Sequence, residues 1–460
     1  MARALGFIVR SWKLLALIAS AGLALAWQLP GCTESHMAFS PNGRQLAFMV
    51  QHPFGGKGGK DVHMVGPHLY RLLVVTDQKD LRLVEETTKE LLTAPAWSAD
   101  GKRLAYLRIP LLANQQEAEE LEKATKRKKE AWNQATSAPA VVGAVGKGAS
   151  PELAMESLPP AEAITQAVSG YYTGEPIKVT LVLRDTATWE VVTTLDMWLP
   201  LGAGDSLADS FQGLYGFLQI AFTPDGNWVC FGWNNMILAA GPYERRVRLL
   251  AVGTGPRVSP DGKLLAFQSG ESIGLMDLGG QWTRYWRVKA GVYGWKDEKT
   301  MLLLAPPDDS PGSAAEGKKL AFQTMSIDGK LGEKRNVPLA VAGLDSPPDF
   351  QACSPDGQLL VAAKEDVVYF FDQAGKLLGQ WPPKTAPAGA DEKKIFGHPA
   401  FSADGKQVAF KLVGKEQGVS DILFLSPEGV EKARVGVPEF KPTATRPAAE
   451  AATTSHPSRQ

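Results

Sequence analysis

The sequence predicts an all-β fold, a seven-bladed β-propeller, on three grounds: a recurring turn pattern, the spacing of its copies and the composition of the chain. The pattern recurs six times within 460 residues, always followed by a largely apolar run. The 46 glycines and 32 prolines are more than ordinary usage, as expected for a strand-rich protein with many turns. A seventh copy is degenerate, so a six-bladed propeller is the alternative.

The six clear copies share a hydroxyl residue, Asp or Asn two positions later, and glycine after that. Their hydroxyl residues are Ser40, Ser98, Thr223, Ser259, Ser354 and Ser402. The degenerate copy, residues 295–303, keeps the aromatic residue and the apolar run but lacks the glycine. Counted together, consecutive copies lie 36 to 58 residues apart, except for one interval of 125 that contains an insertion. Spacing of this order is typical of propeller blades.

The residue types of the pattern are those of a tight turn between two strands. The hydroxyl caps following amides, proline presets φ, Asp tolerates the turn conformation and glycine supplies a positive φ. The predicted turn residues are Pro41, Asn42, Gly43, Asp100, Gly101, Pro224, Asp225, Gly226, Pro260, Asp261, Gly262, Pro355, Asp356, Gly357, Asp404 and Gly405. Since turn chemistry accounts for the acidic position and each acid belongs to a separate blade, we interpret the aspartates as structural rather than as calcium ligands.

Each turn is followed by three strand-like segments. The apolar run comes first, as in LLAF after Gly262 and QVAF after Gly405, and two further strands separated by a polar turn follow. A unit of four strands therefore repeats along the chain, and such units arranged radially form a β-propeller.

The copies resemble the WD-like β-propeller repeat of TolB-like periplasmic proteins and of prolyl-oligopeptidase-type peptidases, over residues 37–437. The TolB resemblance implies a non-catalytic propeller that binds a protein or an envelope polymer. We expect neither a complete TolB nor a complete peptidase. The first repeat begins about five residues after Cys32, which leaves no room for the TolB α/β domain, and the segment 438–460 is too short for a hydrolase domain.

The N-terminal residues 1–31 are predicted to be a signal peptide. Basic residues precede an uncharged apolar run, Leu14–Trp27, which is short for a membrane span. The run ends in Leu29-Pro30-Gly31-Cys32, which resembles the bacterial lipoprotein box, although proline replaces the usual Ser or Ala. We expect lipidation at Cys32, with an ordinary cleaved signal or an uncleaved anchor as alternatives. Each alternative exports the remainder to the periplasmic or outer-surface side of a bacterial membrane.

Two segments are predicted to lie outside the regular repeats. Residues 109–176 form an insertion in blade two, with an exposed helix within 112–135, where acidic residues precede basic ones in i, i+4 pairs such as Glu119 with Lys123. A low-complexity stretch follows the helix. The tail 438–460, rich in Pro, Ala and Thr, is predicted to be disordered.

The composition excludes several classes of function. Lys plus Arg and Asp plus Glu both number 49, so no net charge attracts nucleic acid. The three cysteines form neither a disulfide framework nor a four-cysteine zinc site. No cofactor or metal is expected.

Three apparent site motifs are interpreted as structural. Gly270-Glu271-Ser272-Ile273-Gly274 matches a nucleophile elbow, but a strand is predicted after Ser272 where an elbow needs a helix. The glycine-rich stretch 55–60 lacks the spacing of a phosphate loop, since Asp61 follows Lys60. The histidines His52, His63 and His68 lack an accompanying metal-binding pattern.

Two classes of function remain. The favoured hypothesis is an exported, lipid-anchored, non-catalytic propeller that binds a protein or cell-envelope partner through one face. The alternative is an exported lyase or hydrolase with a site at the mouth of the central channel. Such an enzyme needs converging His, Glu or Asp side chains, and His398 is the only histidine at a repeated position near a predicted face.

Overall fold

The chain is an all-β, seven-bladed β-propeller, as the sequence predicts. The computed structural model describes residues 37–53, 68–111, 176–200, 220–233, 236–279, 282–305, 319–338, 350–364, 367–383, 394–413 and 419–438, together with Glu120, Lys123, Ala124 and Arg127. Each blade is an antiparallel sheet of strands that are consecutive in the chain. We name these strands a to d in chain order.

The first three blades contain strands β1 to β13. Blade 1 comprises β1 (Met37–Phe39), β2 (Gln45–Pro53), β3 (His68–Thr76) and β4 (Asp80–Thr87). In blade 2 strand a is split into two pieces, and the strands are β5 (Glu90–Leu92), β6 (Ala96–Trp97), β7 (Arg103–Pro110), β8 (Pro176–Asp185) and β9 (Val191–Pro200). Blade 3 comprises β10 (Ile220–Phe222), β11 (Val229–Trp233), β12 (Met236–Gly241) and β13 (Arg246–Val252).

The remaining four blades have four strands each. Blade 4 comprises β14 (Thr254–Val258), β15 (Leu264–Ser269), β16 (Ser272–Asp277) and β17 (Thr283–Arg287). Blade 5 comprises β18 (Gly291–Asp297), β19 (Thr300–Ala305), β20 (Lys319–Ser326) and β21 (Arg335–Pro338). Blade 6 comprises β22 (Phe350–Cys353), β23 (Leu359–Lys364), β24 (Val367–Asp372) and β25 (Leu377–Trp381). Blade 7 comprises β26 (Lys394–Phe401), β27 (Val408–Val413), β28 (Val419–Leu425) and β29 (Glu431–Gly436).

The a strands of neighbouring blades lie beside one another and surround the central axis. The hydrophobic core is therefore distributed between blades rather than gathered at one centre. One cluster joins Leu46 and Phe48 of blade 1 to Ile422 and Phe424 of blade 7, and similar clusters join the other neighbouring blades. This arrangement explains the nearly continuous apolar character of strands b and c, because both faces of each sheet are covered.

Among the described residues, the ring closes without exchange of a strand between the first and last blades. Blade 1 uses β1–β4 and blade 7 uses β26–β29, and the two pack against each other, with β1 beside β26. The degenerate copy forms a complete four-stranded blade 5. A seventh blade therefore does not depend on the glycine-containing turn.

β7 of blade 2 ends at Pro110 and β8 begins at Pro176, and the predicted insertion falls between these two strands. The few described residues of the expected helix, Glu120, Lys123, Ala124 and Arg127, are helical, and all but Ala124 are exposed. The predicted signal peptide, Cys32 and nearly all of the tail lie outside the described residues. Among the described residues no helix is both long enough and apolar enough to span a membrane.

Candidate functional site

The two faces of the propeller differ in the length of their connections. The a–b and c–d connections share one face, the turn face, and the longest of them spans only residues 327–334. The b–c and d–a connections share the opposite face, the loop face. All the long connections leave from this loop face: residues 54–67, 111–175, 201–219, 306–318, 339–349 and 382–393.

The turn residues identified in the sequence all lie on the turn face, in one repeated hydrogen-bond arrangement. The hydroxyl of residue 40, 98, 223, 259, 354 or 402 donates to the Asp or Asn two positions later, at 2.5–2.8 Å. It also accepts a hydrogen bond from the first amide of strand b or the amide before it, at 2.9–3.1 Å. The Asp or Asn in turn accepts an amide from the residue two positions further on, at 3.0–3.2 Å.

These bonds account for the repeated acidic position. Hydrogen bonds from the serine hydroxyls lower the pKa values of Asp100, Asp261 and Asp404. Each carboxylate thus serves its own turn, and the described residues contain no cluster of three or more potential metal ligands. The aspartates act as turn residues in this structure.

The turn glycines also bring neighbouring blades together. Each has a positive φ of 67–70°. A β-carbon on Gly262 of blade 4 would lie only 2.0 Å from Cδ of Pro224 in the turn of blade 3. Gly101 approaches Pro41, and Gly43 approaches Ser402 across the closure of the ring, each with room for a β-carbon. The turns therefore pack in sequence around the axis on this face.

Blade 5 interrupts this ring of turns, because its a–b connection is only residues 298–299. Asp297 accepts a hydrogen bond from the amide of Lys299 at 2.9 Å, but no turn loop follows to meet blade 6. Gly357 of blade 6 instead faces Leu302 of β19, which a β-carbon on this glycine would approach to 3.6 Å. A groove opens on the turn face beside this interruption, between blades 5 and 6.

The groove combines an apolar floor with a polar rim and has a cavity of about 90 Å³. Its floor is formed by Leu302, Phe322, Cys353 and Leu360, all buried. Its rim carries two basic, two acidic and three amide side chains: Lys296, Arg335, Glu333, Asp356, Gln323, Gln358 and Gln373. The cavity has room for one side chain or a few water molecules.

Hydrogen bonds hold three of the rim side chains in place. Arg335 Nη1 of blade 5 donates to Gln373 Oε1 of blade 6 at 2.8 Å, across the groove. Gln323 Nε2 donates to the carbonyl of Gly332 at 2.9 Å, which leaves its amide oxygen as an acceptor on the rim. The rim is therefore partly preorganised, and much of its polar surface still carries donors and acceptors able to meet a ligand.

The thiol in the floor of the groove is unsuited to nucleophilic chemistry. Burial raises the pKa of Cys353 well above its usual range, so the thiol stays protonated at neutral pH. Its amide donates to the hydroxyl of Tyr293 at 2.7 Å, and the carbonyl of Tyr293 accepts from Arg257 Nε of blade 4 at 2.7 Å. These contacts fix the floor to both preceding blades.

A second polar cluster lies between blades 1 and 2, and sequence reasoning missed it. Glu85 of β4 is in ion pairs with Arg108 (2.6 Å) and Arg184 (2.8 Å), and it accepts a hydrogen bond from Tyr106. Burial favours the protonated carboxyl, but the bonds from Arg108, Tyr106 and Arg184 outweigh it and lower the pKa of Glu85. With its charges paired internally, we interpret this cluster as a contact between blades.

Two further buried groups lie in blade 7. Lys411 of β27 is buried, and its Nζ donates to the carbonyl of Met49 in blade 1 at 2.8 Å; burial lowers its pKa to about 7. His398, expected near a face, instead lies buried within β26, and burial lowers its pKa to about 4. His398 lies where the pairing of β26 with β27 is irregular, between Phe396 and Ala400, and nothing in the sequence indicated this irregularity.

The remaining sequence candidates do not converge on a site among the described residues. Ser272 begins β16 directly after the Gly270–Glu271 turn, so a strand follows it rather than a helix. Residues 55–60 and His63 lie outside the described residues, as do the side chains of His52 and His68. Cys230 is buried, and burial raises the pKa of its thiol to about 12.

Comparison with known proteins assigns no family to the chain. No protein-family model and no curated protein matches the chain. Among solved structures, the chain is similar to the β-propeller domain of the Trilobed protease from Pyrococcus furiosus (11% identity, TM-score 0.44, covering 85% of this chain and 92% of that one).

Two other solved structures are similar to this propeller. One is Kuenenia stuttgartiensis hydrazine synthase (12% identity, TM-score 0.43, covering 85% of this chain and 94% of that one). The other is the dihydro-heme d1 dehydrogenase NirN in complex with DHE (13% identity, TM-score 0.40, covering 88% of this chain and 66% of that one). These similarities assign no function to the chain, because one fold carries many unrelated activities.

Proposed function

We propose that this chain is an exported, lipid-anchored, non-catalytic β-propeller of the TolB-like, WD-like class that binds a protein partner of the cell envelope through its turn face. The observation that carries the binding proposal is the groove between blades 5 and 6. It is a concave site with an apolar floor and a largely polar rim, and concave sites that combine apolar surface with converging polar groups are where ligands usually bind.

The chemistry of the rim favours an extended peptide segment as ligand. The side-chain amides of Gln323, Gln358 and Gln373 offer both donors and acceptors, which match the groups of a peptide backbone. The two basic and two acidic side chains balance, so the rim selects neither a polyanion nor a polycation. The apolar floor then accepts one side chain of the peptide.

The protonation states of Cys353 and His398, the candidate nucleophile and the candidate base, support binding rather than catalysis. Burial keeps the thiol of Cys353 protonated and His398 neutral at pH 7, since the pKa of the histidine is lowered to about 4. A general base works best with a pKa near the operating pH. We therefore favour a binding protein over the alternative, an exported lyase or hydrolase.

Export and anchoring are supported by the N-terminal sequence. The basic residues, the apolar run Leu14–Trp27 and Leu29-Pro30-Gly31-Cys32 form a signal peptide followed by a box resembling that of bacterial lipoproteins. Multiple acyl chains at Cys32 hold a folded domain stably at a membrane, whereas a single chain binds only marginally. The partner is accordingly sought in the cell envelope.

Selection from a random peptide library on the immobilised mature protein tests the binding proposal. We expect one enriched sequence pattern with an apolar residue at a constant position. The double variant Arg335→Ala/Gln373→Ala, which removes the polar pair across the groove, should bind the enriched peptide at least about tenfold more weakly, a loss of about 1.4 kcal/mol.

A matched control lies on the same face at another blade interface. Gln78 Nε2 of blade 1 donates to Gln407 Oε1 of blade 7 at 3.0 Å. The variant Gln78→Ala/Gln407→Ala therefore removes an equivalent pair outside the groove, and its affinity should stay within about twofold of the wild type. Failure to enrich any pattern, or an equal loss in both double variants, would show that this groove is not the binding site.

A further inference from the structure

Both ends of the propeller chain lie on the loop face. Strand a of each blade runs from the loop face to the turn face, and strand d returns to the loop face because each blade crosses the ring four times. β1, which begins at Met37, and β29, which ends at Gly436, therefore start and end there. Arg71 of β3 also donates to the carbonyl of Pro438 at 3.4 Å, which places the start of the tail beside blade 1 on this face.

The distance from Cys32 to the propeller is short. Residues 33–36 separate Cys32 from Met37. Five Cα steps span at most about 18 Å even when fully extended. A blade strand such as β15, with six residues, spans roughly 20 Å between the two faces. A tether of this length keeps the loop face within about 18 Å of Cys32. The turn face lies about one blade height further from Cys32 than the loop face does.

The tether also enters the ring near its axis. β1 is an a strand, and the a strands surround the centre of the propeller. A short tether at the centre of a disc holds the disc with one face towards its attachment, whereas a tether at the rim would allow it to stand on edge. At the periphery of the loop face, Trp198 of β9 is 48% exposed beside Lys178 of β8. Trp is a residue enriched at membrane surfaces.

We infer that the loop face of this propeller lies against the lipid bilayer, so that the groove on the turn face is directed away from the membrane. This inference rests on the membrane tether of the proposed function. It identifies which face meets the lipid and which face is open to a protein partner in the surrounding compartment.

Blade 4 offers two labelling positions at opposite ends of one strand. Lys263 precedes β15 on the turn face, and Glu271 follows it on the loop face; their side chains are 77% and 59% exposed. Cys230 and Cys353 are buried, so a thiol-reactive dye selects an introduced surface cysteine. The variants Lys263→Cys and Glu271→Cys thus form a matched pair that differs in distance from the membrane.

Energy transfer to labelled lipid headgroups measures that difference. The full mature protein, purified from membranes with its native N-terminus, is labelled with a donor dye and bound to vesicles whose lipids carry an acceptor on the headgroup. We expect clearly higher transfer from the dye at position 271 than from the dye at position 263. Equal transfer from both positions, or higher transfer from position 263, would overturn the inferred orientation.

Failure of the tether and failure of the orientation give different results. If the wild-type protein carries no acyl mass and does not sediment with vesicles, the anchor of the proposed function is wrong and the orientation fails with it. If the protein sediments but the two dyes transfer equally, only the orientation is wrong. Cys32→Ser should abolish transfer from both positions, and transfer that survives this change would contradict anchoring at Cys32.

Discussion

At the a–b turns, one missing β-carbon decides how closely two blades approach. Gly262 and Gly101 occupy the same turn position with the same φ of 70°, but they face different neighbours. The space beside Gly262 is filled by Pro224, whereas Gly101 has room for a methyl group before Pro41. The glycine is thus required by φ at both positions and by packing at only one.

Gly262→Ala should destabilise the propeller more than Gly101→Ala. Alanine at either position adopts an unfavourable φ, at a cost of about 1 kcal/mol, and at position 262 its methyl group also displaces Pro224, for a total of roughly 3 kcal/mol. Urea unfolding measures both variants. In a Pro224→Ala background the cost of Gly262→Ala should fall towards that of Gly101→Ala, and equal costs in the wild-type background would contradict this account.

Lys411 should make stability depend on pH above neutrality. Burial lowers its pKa to about 7 in the folded protein, whereas an unfolded lysine titrates near 10.4. Between these values the unfolded state binds more protons, so the contribution of Lys411 to stability rises with pH from about 7 to about 10. Below pH 7 Lys411 is charged in both the folded and the unfolded state, so its buried charge lowers the free energy of unfolding by a constant amount.

Lys411→Met removes this titration and serves as its test. Relative to wild type, the variant should gain about 4 kcal/mol more at pH 6 than at pH 10, because only the wild type carries the buried charge at the lower value. Loss of the hydrogen bond to Met49 changes the stability of the variant by the same amount at both pH values, so it does not affect this difference. Denaturant unfolding at both pH values checks the difference, and parallel stability profiles for the two proteins would exclude a depressed lysine pKa.

At the scale of elements, the blades are joined by buried polar groups as well as by apolar clusters. Glu85 on β4 meets two arginines carried by β7 and β8 of the next blade. Removal of one partner from a buried ion pair leaves an uncompensated charge, which is more costly than the pair itself is stabilising. The contact between blades 1 and 2 therefore depends on all three charges being present.

Glu85→Gln should destabilise the protein by about 3 kcal/mol, since Arg108 and Arg184 would be left without their shared carboxylate. Glu86→Gln is the control. Glu86 is adjacent in β4, and its ion pair with Arg71 is partly exposed, so its loss should cost less than about 1 kcal/mol. Thermal unfolding of both variants provides the comparison, and similar losses would mean that the cluster is no stronger than a surface pair.

The acid side of the stability profile gives an independent check on Glu85. Its folded pKa is lowered, so the stability it contributes is present above its unfolded pKa and is lost as pH falls through the lower folded value. Glu85→Gln should therefore flatten the decline of stability below about pH 4.5. An unchanged acid decline would indicate that other carboxylates determine it.

For the whole molecule, the ring and its insertion are separable. β7 and β8 are paired neighbours, Arg108 opposite Thr180, so their loop-face ends lie close together. A short Gly/Ser linker is able to join them, and a shorter connection lowers the entropic cost of closing the loop. The insertion is thus not needed to hold the two strands in register.

Replacement of residues 112–175 with a short Gly/Ser linker should change the melting temperature by less than about 5 °C. The described residues of the insertion at positions 120, 123 and 127 are exposed, as expected for a segment that adds little to the core. Calorimetry of the deletion variant measures the effect. A drop of tens of degrees would show that the insertion covers part of the ring.

The number of blades and the all-β class were readable from the sequence because turn chemistry is local. Ser259, Asp261 and Gly262 interact within one turn, so their spacing alone predicts it. The same local reasoning found blade 5 from its aromatic residue and apolar run. It did not reveal the groove beside the short a–b connection of blade 5. A groove is formed by two blades, so it depends on how blade 6 packs against blade 5 and not on the sequence of one turn.

The sequence by itself therefore determined the repeat and the strands, since each depends on residues that are neighbours in the chain. Only the tertiary structure decided the contacts between blades. Arg184 reaches Glu85 across 99 residues, and Lys411 reaches Met49 across 362. Nothing in the spacing of such residues marks them as partners, because ring closure brings them together only after every blade between them has folded.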